Sequence, residues 1–162
     1  MDKAAKLLST AVALWLAAAS CASSAELYEG QTNPNRIKHA ATKTTSGRLA
    51  AKAKADALLG FKYEHGLGVP QSLEIAADLY LRAAEQGDPT GQYYLGLMYD
   101  KGLGVWQDGI LAYKWLNLAA ARAPARVREQ YLRIRDAAAS KLTVDQMYLG
   151  QELATQWVPK QY

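Results

Sequence analysis

The sequence is poor in the residues that most often carry chemistry. It has one cysteine and two histidines among 162 residues. Cys21 lies near the N-terminus, so the rest of the chain has no disulfide, no thiolate metal site and no cysteine nucleophile. His39 and His65 lack serine or carboxylate partners that the pattern would bring into one pocket, which a hydrolytic site requires. We therefore expect no catalytic residue, no cofactor and no metal.

Strong charge and nucleotide-binding motifs are also missing. The formal net charge is +4, and no basic run is interleaved with aromatic residues, so we expect no nucleic-acid binding. The glycine pairs at 66/68 and 102/104 have no third glycine in the position that a dinucleotide fingerprint needs, and no Gly-Lys-Ser/Thr follows them. We interpret these glycines as turn residues.

Residues 1–25 are predicted to be a secretory signal peptide. Lys3 and Lys6 precede a nearly uninterrupted apolar run over residues 7–19, which is short for a membrane span. Small residues follow, and cleavage after Ala25 would release a mature chain that is periplasmic or secreted. As an alternative, residues 18–21 are similar to a lipobox, which would anchor a lipoprotein to the membrane through Cys21.

What the chain does contain is a motif that occurs twice. The pattern Leu-Gly-x-x-Tyr-x-x-Gly-Leu-Gly-Val-x-Gln begins at Leu59 and again at Leu95, a step of 36 residues. Three alanines of the segment that follows recur at the same step. A fixed period of about 20 to 50 residues indicates stacked helical or β units that bury their apolar faces against one another. Such stacks commonly offer a surface to a partner.

Periodicity and capping residues predict six helices in residues 48–162, after a flexible polar tether over residues 26–47. The tether has no apolar period. The first helix is expected to run from Arg48 to about Glu64, where Gly66 ends it. A second helix is expected to end near Gln86, and the later ones to begin at Asp88-Pro89, at Asp108, at Pro124 and at the capping box 143–146.

The repeated motif, followed by an alanine-rich helix that ends Ala-Ala-Glu-Gln-Gly at residues 83–87, resembles the Sel1-like repeat family. Residues 55–87 and 91–123 match two units, and residues 124–158 match a C-terminal extension that would cap the stack. The resemblance implies an all-α fold, a short α-solenoid of antiparallel helix pairs related to tetratricopeptide repeats. It also implies adaptor or regulatory binding of proteins, often in bacterial envelopes.

One branch of that family carries a disulfide in each repeat, and this chain lacks those cysteines. The penicillin-binding and β-lactamase-like activities proposed for that branch are therefore not carried over.

The resemblance also suggests where a partner would bind. In helix-pair solenoids the first helix of each pair lines the concave face. If Leu59 and Leu95 point into the core, the outward residues of these helices are the predicted partner-binding set: Ala57, Phe61, Glu64, Tyr93, Leu97, Asp100 and, at the rim, Lys101. The alternative is that the capping helices cover Phe61 and Leu97.

Trp106 interrupts the repeat, because Pro70 stands at the equivalent position. We expect it to pack over the seam between the repeats, the alternative being an exposed anchor for a partner.

These observations predict a monomeric, non-catalytic interaction module that binds, and could inhibit or regulate, a partner protein. A cell-wall glycan-binding module or hydrolase is the alternative. It would need a cleft with paired carboxylates or stacked aromatic residues, and Glu64 and Asp100 are the candidate residues.

Overall fold

The computed structural model describes the backbone of residues 34–160 and the side chains of residues 45–160. That part of the chain is built from six α-helices and contains no strand. They are α1 (Pro34–His65), α2 (Leu73–Glu85), α3 (Pro89–Lys101), α4 (Gly109–Arg122), α5 (Ala125–Ala139) and α6 (Val144–Thr155). The predicted all-α fold is confirmed. The two repeats and the helices after them lie in one compact unit, Ser46–Tyr162.

The beginning of α1 differs from the sequence prediction. The helix begins at Pro34, so residues 34–47, which we expected to lack helical structure, are helical. The prediction relied on an apolar period, and the backbone is helical over these residues without one. Pro34 also suits the first turn of a helix. The predicted signal peptide and residues 26–33 lie outside the described residues.

The helix starts follow from local sequence, as predicted at residues 88, 108 and 143–146. Ser72, Asp88 and Asp108 each accept a hydrogen bond from the backbone of the first turn of the next helix, and Thr143 and Gln146 form a reciprocal capping box. Each such cap stabilises its helix by about 1 kcal/mol. Gly102 ends α3 in the left-handed conformation, with a φ of 68°.

The core consists of two apolar clusters. The larger one holds Tyr80, Leu95, Met98 and Trp115, and joins α2, α3 and α4. The smaller one joins α3 and α4 to α5. In sequence order α2 packs on α3 and α3 on α4, and both α5 and α6 then pack on α4. The last two helices therefore close the stack by covering α4.

A search of the described residues for a helix both long enough and apolar enough to cross a membrane finds none.

Candidate functional site

A groove of about 310 Å³ opens between α1 and α3. Its lining is almost entirely apolar and comes from Lys54, Ala57, Leu58, Phe61, Thr90 and Tyr94. The four residues from α1 are spaced i, i+3, i+4 and i+7, so they form one stripe along the helix. The Leu58 side chain is 60% exposed, so the groove presents a large apolar group to solvent.

Stacked rings hold the walls of the groove. The Phe61 ring stacks on His65 with a centroid separation of 4.2 Å and lies 5.8 Å from the ring of Tyr94. Tyr94 in turn stacks on the buried Tyr80 at 5.0 Å. Because each ring packs against another, the apolar surface is fixed before any partner arrives, which lowers the entropic cost of binding.

A carboxylate supports this wall from inside. The Tyr80 hydroxyl donates a hydrogen bond to Oε2 of Glu64 at 2.7 Å. Burial, followed by the neighbouring Glu64, raises the pKa of Tyr80 above its ordinary value, and the same two causes raise the pKa of Tyr94. Both hydroxyls therefore stay neutral at physiological pH, and Lys54 supplies the charged group of the groove lining.

The equivalent surface of the second repeat is covered by α5. Tyr93, which corresponds to Ala57, stacks on Tyr131 of α5 with centroids 4.1 Å apart and planes 6° from parallel. Leu97, which corresponds to Phe61, packs into the same apolar cluster. After α5, the Lys141 ammonium pairs with the Asp100 carboxylate at 2.7 Å. Over the second repeat, α5 therefore occupies a surface. The equivalent surface over the first repeat stays open.

This arrangement separates the predicted partner-binding residues into two groups. Ala57 and Phe61 do line the groove, although Ala57 is only 2% exposed and forms part of its floor. Glu64 is engaged by Tyr80, so it supports the groove from behind. These three residues of the first repeat lie at or beneath one site.

The predicted residues of the second repeat do not belong to that site. Tyr93 is 8% exposed and not an outward anchor, which corrects the prediction, because α5 covers it. Leu97 is half-buried under the same helix, and Asp100 is held by Lys141. Lys101 is exposed but lies outside the groove lining. The alternative that a capping helix covers this surface is thus correct for Leu97 and wrong for Phe61.

The assumption that both repeat leucines point into the core is also wrong for the first. Leu95 is 1% exposed, whereas Leu59 is 38% exposed. Sequence reasoning further missed Lys54, Leu58, Thr90 and Tyr94. The stripe of 54, 57, 58 and 61 was a usable signal. Thr90 and Tyr94 come from the neighbouring repeat, and their place depends on how the repeats stack.

Trp106 is 94% exposed, so the prediction that it packs over the seam is wrong. Val105 takes the inward position against the core, and the chain then turns residue 106 outward. The indole flanks a shallow cleft formed with Gly102, Gly104 and Val105.

Comparison with known proteins gives a consistent family. A model described as the Sel1 repeat matches residues 53–88 and 89–123. The fold is similar to that of a protective antigen present in uropathogenic Escherichia coli strains and displaying an SLR fold, with a TM-score of 0.59 and 30% sequence identity. That match covers 65% of this chain and 22% of the antigen.

A Sel1 repeat protein from Oxalobacter formigenes shares 37% identity, with 50% of this chain and 61% of that protein covered and a TM-score of 0.46. The chain thus spans about a fifth of the length of the first protein and less than two thirds of the second.

Proposed function

Because the chain carries two Sel1 repeats and is a Sel1-like repeat protein, we propose that it binds a partner protein through the groove between α1 and α3. Sel1 repeats generally act as protein–protein interaction modules. The proposed role is non-catalytic: the module holds, and by holding inhibits or regulates, its partner.

The observation that carries the proposal is the contrast between the two equivalent surfaces. Over the second repeat, α5 covers Tyr93 and Leu97 and inserts Tyr131 against them. Over the first repeat, Leu58 and Phe61 remain at the surface of a preformed groove. A helix with an aromatic or aliphatic anchor is thus the occupant that this fold already accommodates once, and helix-in-groove binding is a common mode of peptide recognition.

The charge of the groove indicates which partner segments would fit it. Lys54 stands at the groove beside apolar residues, so an acidic residue next to the partner's anchor would complement it. Anchors buried in such pockets typically contribute about 2 kcal/mol or more of binding free energy, whereas rim charges contribute less.

The test is capture of the partner by chemical crosslinking, followed by titration with the crosslinked segment. The groove variant is Leu58→Asp, since an exposed residue can be changed without disturbing the core. Val158→Asp is the matched control, because Val158 is also exposed, at 74%, and lies outside the groove. We expect the wild type and the control to bind the same segment, and the groove variant to bind it at least tenfold more weakly.

Equal affinity of all three proteins would contradict the groove as the binding site. A Lys54→Glu variant sharpens the result, because it should weaken binding of an acidic segment and not of a neutral one. Circular dichroism confirms that each variant is folded.

We further propose that the protein acts in the bacterial envelope. The support is the sequence of residues 1–25, with its basic start, apolar run and small residues before Glu26. Mass spectrometry of the isolated protein should find an N-terminus at Glu26, or a lipid on Cys21 if the alternative holds. A chain that retains Met1 would contradict both.

The glycan-binding or hydrolase alternative relied on Glu64 and Asp100 as a carboxylate pair. Glu64 accepts a hydrogen bond from Tyr80, and Asp100 pairs with Lys141, so each carboxylate has a structural partner. The groove does contain aromatic rings, but they stack on other rings of the protein, Phe61 on His65 and Tyr94 on the buried Tyr80.

A further inference from the structure

The two repeats differ most at the loop that follows their first helix. A Cβ on Gly104 would lie 2.2 Å from the carbonyl oxygen of Leu73 and 2.9 Å from the backbone nitrogen of Glu74. The N-terminal turn of α2 is therefore seated directly on the loop of the second repeat. At Gly68, the equivalent glycine of the first repeat, a Cβ would meet nothing within 4 Å. The first loop has the same left-handed glycines, and no helix among residues 34–160 is seated on it.

The apolar residues around the two loops differ in the same way. Leu103 and Leu111 are partly buried against the main core. Their counterparts Leu67 and Ile75 are 51% and 44% exposed. Leu59, discussed above, completes the exposed set. We call Leu59, Leu67, Gly68 and Ile75 the N-terminal end face.

Terminal units of repeat proteins carry a polar outer surface, which keeps them soluble and stops further stacking. Here that adaptation is slight. Lys62 stands where the second repeat has the buried Met98, but the three large apolar residues of the end face remain. A group of large exposed apolar residues of this kind is typical of an interaction site.

The other end of the stack presents a surface of matching character. Val144 and Tyr148 of α6 are 77% and 72% exposed. With Met147, Gln151 and Tyr113 they line a cleft of about 240 Å³. We call Val144, Met147 and Tyr148 the C-terminal end face.

The N-terminal turn of α6 also repeats the local sequence of the turn that is seated on Gly104. Ser72-Leu73-Glu74 and Thr143-Val144-Asp145 both consist of a hydroxyl cap, an aliphatic residue and an acidic residue. Each hydroxyl accepts a hydrogen bond from the backbone nitrogen three residues later. The protein therefore carries a second, exposed copy of the element that its own second repeat accepts.

We propose that copies of this chain stack head to tail, with the N-terminal turn of α6 of one copy seated on the Gly68 loop of the next. The contact would continue the interface that joins the two repeats inside one chain. Asp145 of α6 and Lys62 beside the N-terminal end face have opposite charges, which favours this pairing over two identical end faces. A monomer, which the sequence analysis predicts, is the alternative.

A head-to-tail contact joins two different surfaces, so it does not close after two copies. It is also separate from the groove, because no groove-lining residue belongs to either end face. Partner binding and stacking can therefore be lost independently.

The test is sedimentation equilibrium of the chain as isolated, across a range of concentrations. Leu67→Asp blocks the N-terminal end face and Tyr148→Asp blocks the C-terminal one, and both positions are exposed enough to tolerate the change. The wild type should grow beyond a dimer as its concentration rises. Each variant alone should associate at least tenfold more weakly. An equimolar mixture should form a dimer and stop there, because it retains one intact contact. Leu58→Asp, in the groove, should associate as the wild type does.

Three results would overturn the proposal. A wild type that stays monomeric at its highest soluble concentration excludes stacking, and protection of the Leu67 amide in that monomer would point to residues 1–44 as the occupant. Association that survives in Tyr148→Asp indicates contact between two N-terminal end faces. A mixture that forms no dimer rules out the head-to-tail arrangement. Ile75→Asp repeats the first block if Leu67→Asp fails to fold.

Discussion

The first and second repeats share a motif and an identical set of turn hydrogen bonds, yet they present different surfaces. The side-chain nitrogen of Gln71 donates to the carbonyl oxygen of Glu64 at 2.8 Å, and Gln107 donates to Asp100 at the same distance. Exposure nevertheless differs widely, from 38% at Leu59 to 1% at Leu95. The motif thus determines the turn, whereas position in the stack determines what the turn and its helices bury.

Two helices account for that difference. The N-terminal turn of α2 covers the loop of the second repeat, and α5 covers its Tyr93 and Leu97. Neither has a counterpart over the first repeat among residues 46–160. Both proposed interaction surfaces, the groove and the N-terminal end face, therefore include uncovered residues of the first repeat.

The largest expected effect comes from adding a methyl group to each loop. Gly104→Ala strains a residue with φ of 67° and forces its Cβ against the Leu73 carbonyl, so α2 must move. We expect a loss of about 3 kcal/mol in unfolding free energy. At Gly68 φ is 76°, but an added Cβ would lie in open space. Gly68→Ala should therefore lower the unfolding free energy by about 1 kcal/mol. Urea denaturation measures both, and equal losses would contradict the described difference in covering.

Truncating the repeat leucines tests the same contrast in the core. Leu95→Ala should cost about 3 kcal/mol, because it leaves a cavity beneath α2. Leu59→Ala should cost less than about 1 kcal/mol, since that side chain is already partly in water. If Leu59→Ala proves as costly as Leu95→Ala in dilute protein, the first repeat is covered by something that the described residues do not include.

Substitutions at the equivalent polar residues Asp56 and Gln92 should change the unfolding free energy less. Asp56 is 7% exposed and accepts two hydrogen bonds from Arg82, at 2.9 and 3.0 Å. Asp56→Ala should cost about 1 kcal/mol, because the Arg82 side chain is half exposed and regains water.

The equivalent Gln92 is fully buried and donates to the Ala84 carbonyl, while its Oε1 has no hydrogen-bond partner among the described residues. Gln92→Met should be close to neutral, since it removes an unsatisfied acceptor along with one hydrogen bond. Thermal denaturation of Asp56→Ala and Gln92→Met compares their losses of stability. A larger loss for Gln92→Met would contradict this prediction.

The smallest effect is expected at Trp106. Trp106→Pro restores the residue found in the first loop and removes a side chain that is almost fully exposed. The unfolding free energy should change by less than about 0.5 kcal/mol. The tryptophan fluorescence should lose a solvent-exposed component. A clear destabilisation would show that the indole packs after all.

The features that could be predicted from the sequence are the local ones. Asp88, Asp108 and Thr143 begin helices because a side chain and a nearby backbone group suffice for a cap. The exposure of Leu59 could not be predicted in the same way, because it depends on whether another unit covers it. The burial of Tyr93 likewise depends on α5, which lies more than one helix away in sequence.

The groove contains residues that could be predicted from the sequence and residues that could not. Phe61 was found by its outward position, and Leu58 could have been found from the stripe that the two share on α1. Tyr94 could not, because its contact with Phe61 requires the stacking geometry of two repeats.

Hydrogen exchange at the two loops is the most direct test of the account. The Leu67 and Leu103 amides donate to the Lys62 and Met98 carbonyls at 2.9 and 3.0 Å, so their hydrogen bonds are equivalent. Only the covering differs. In dilute protein the Leu103 amide should exchange on the order of 100-fold more slowly than the Leu67 amide, because opening it requires α2 to lift away. Equal protection of the two amides would contradict the claim that one repeat is covered and the other open.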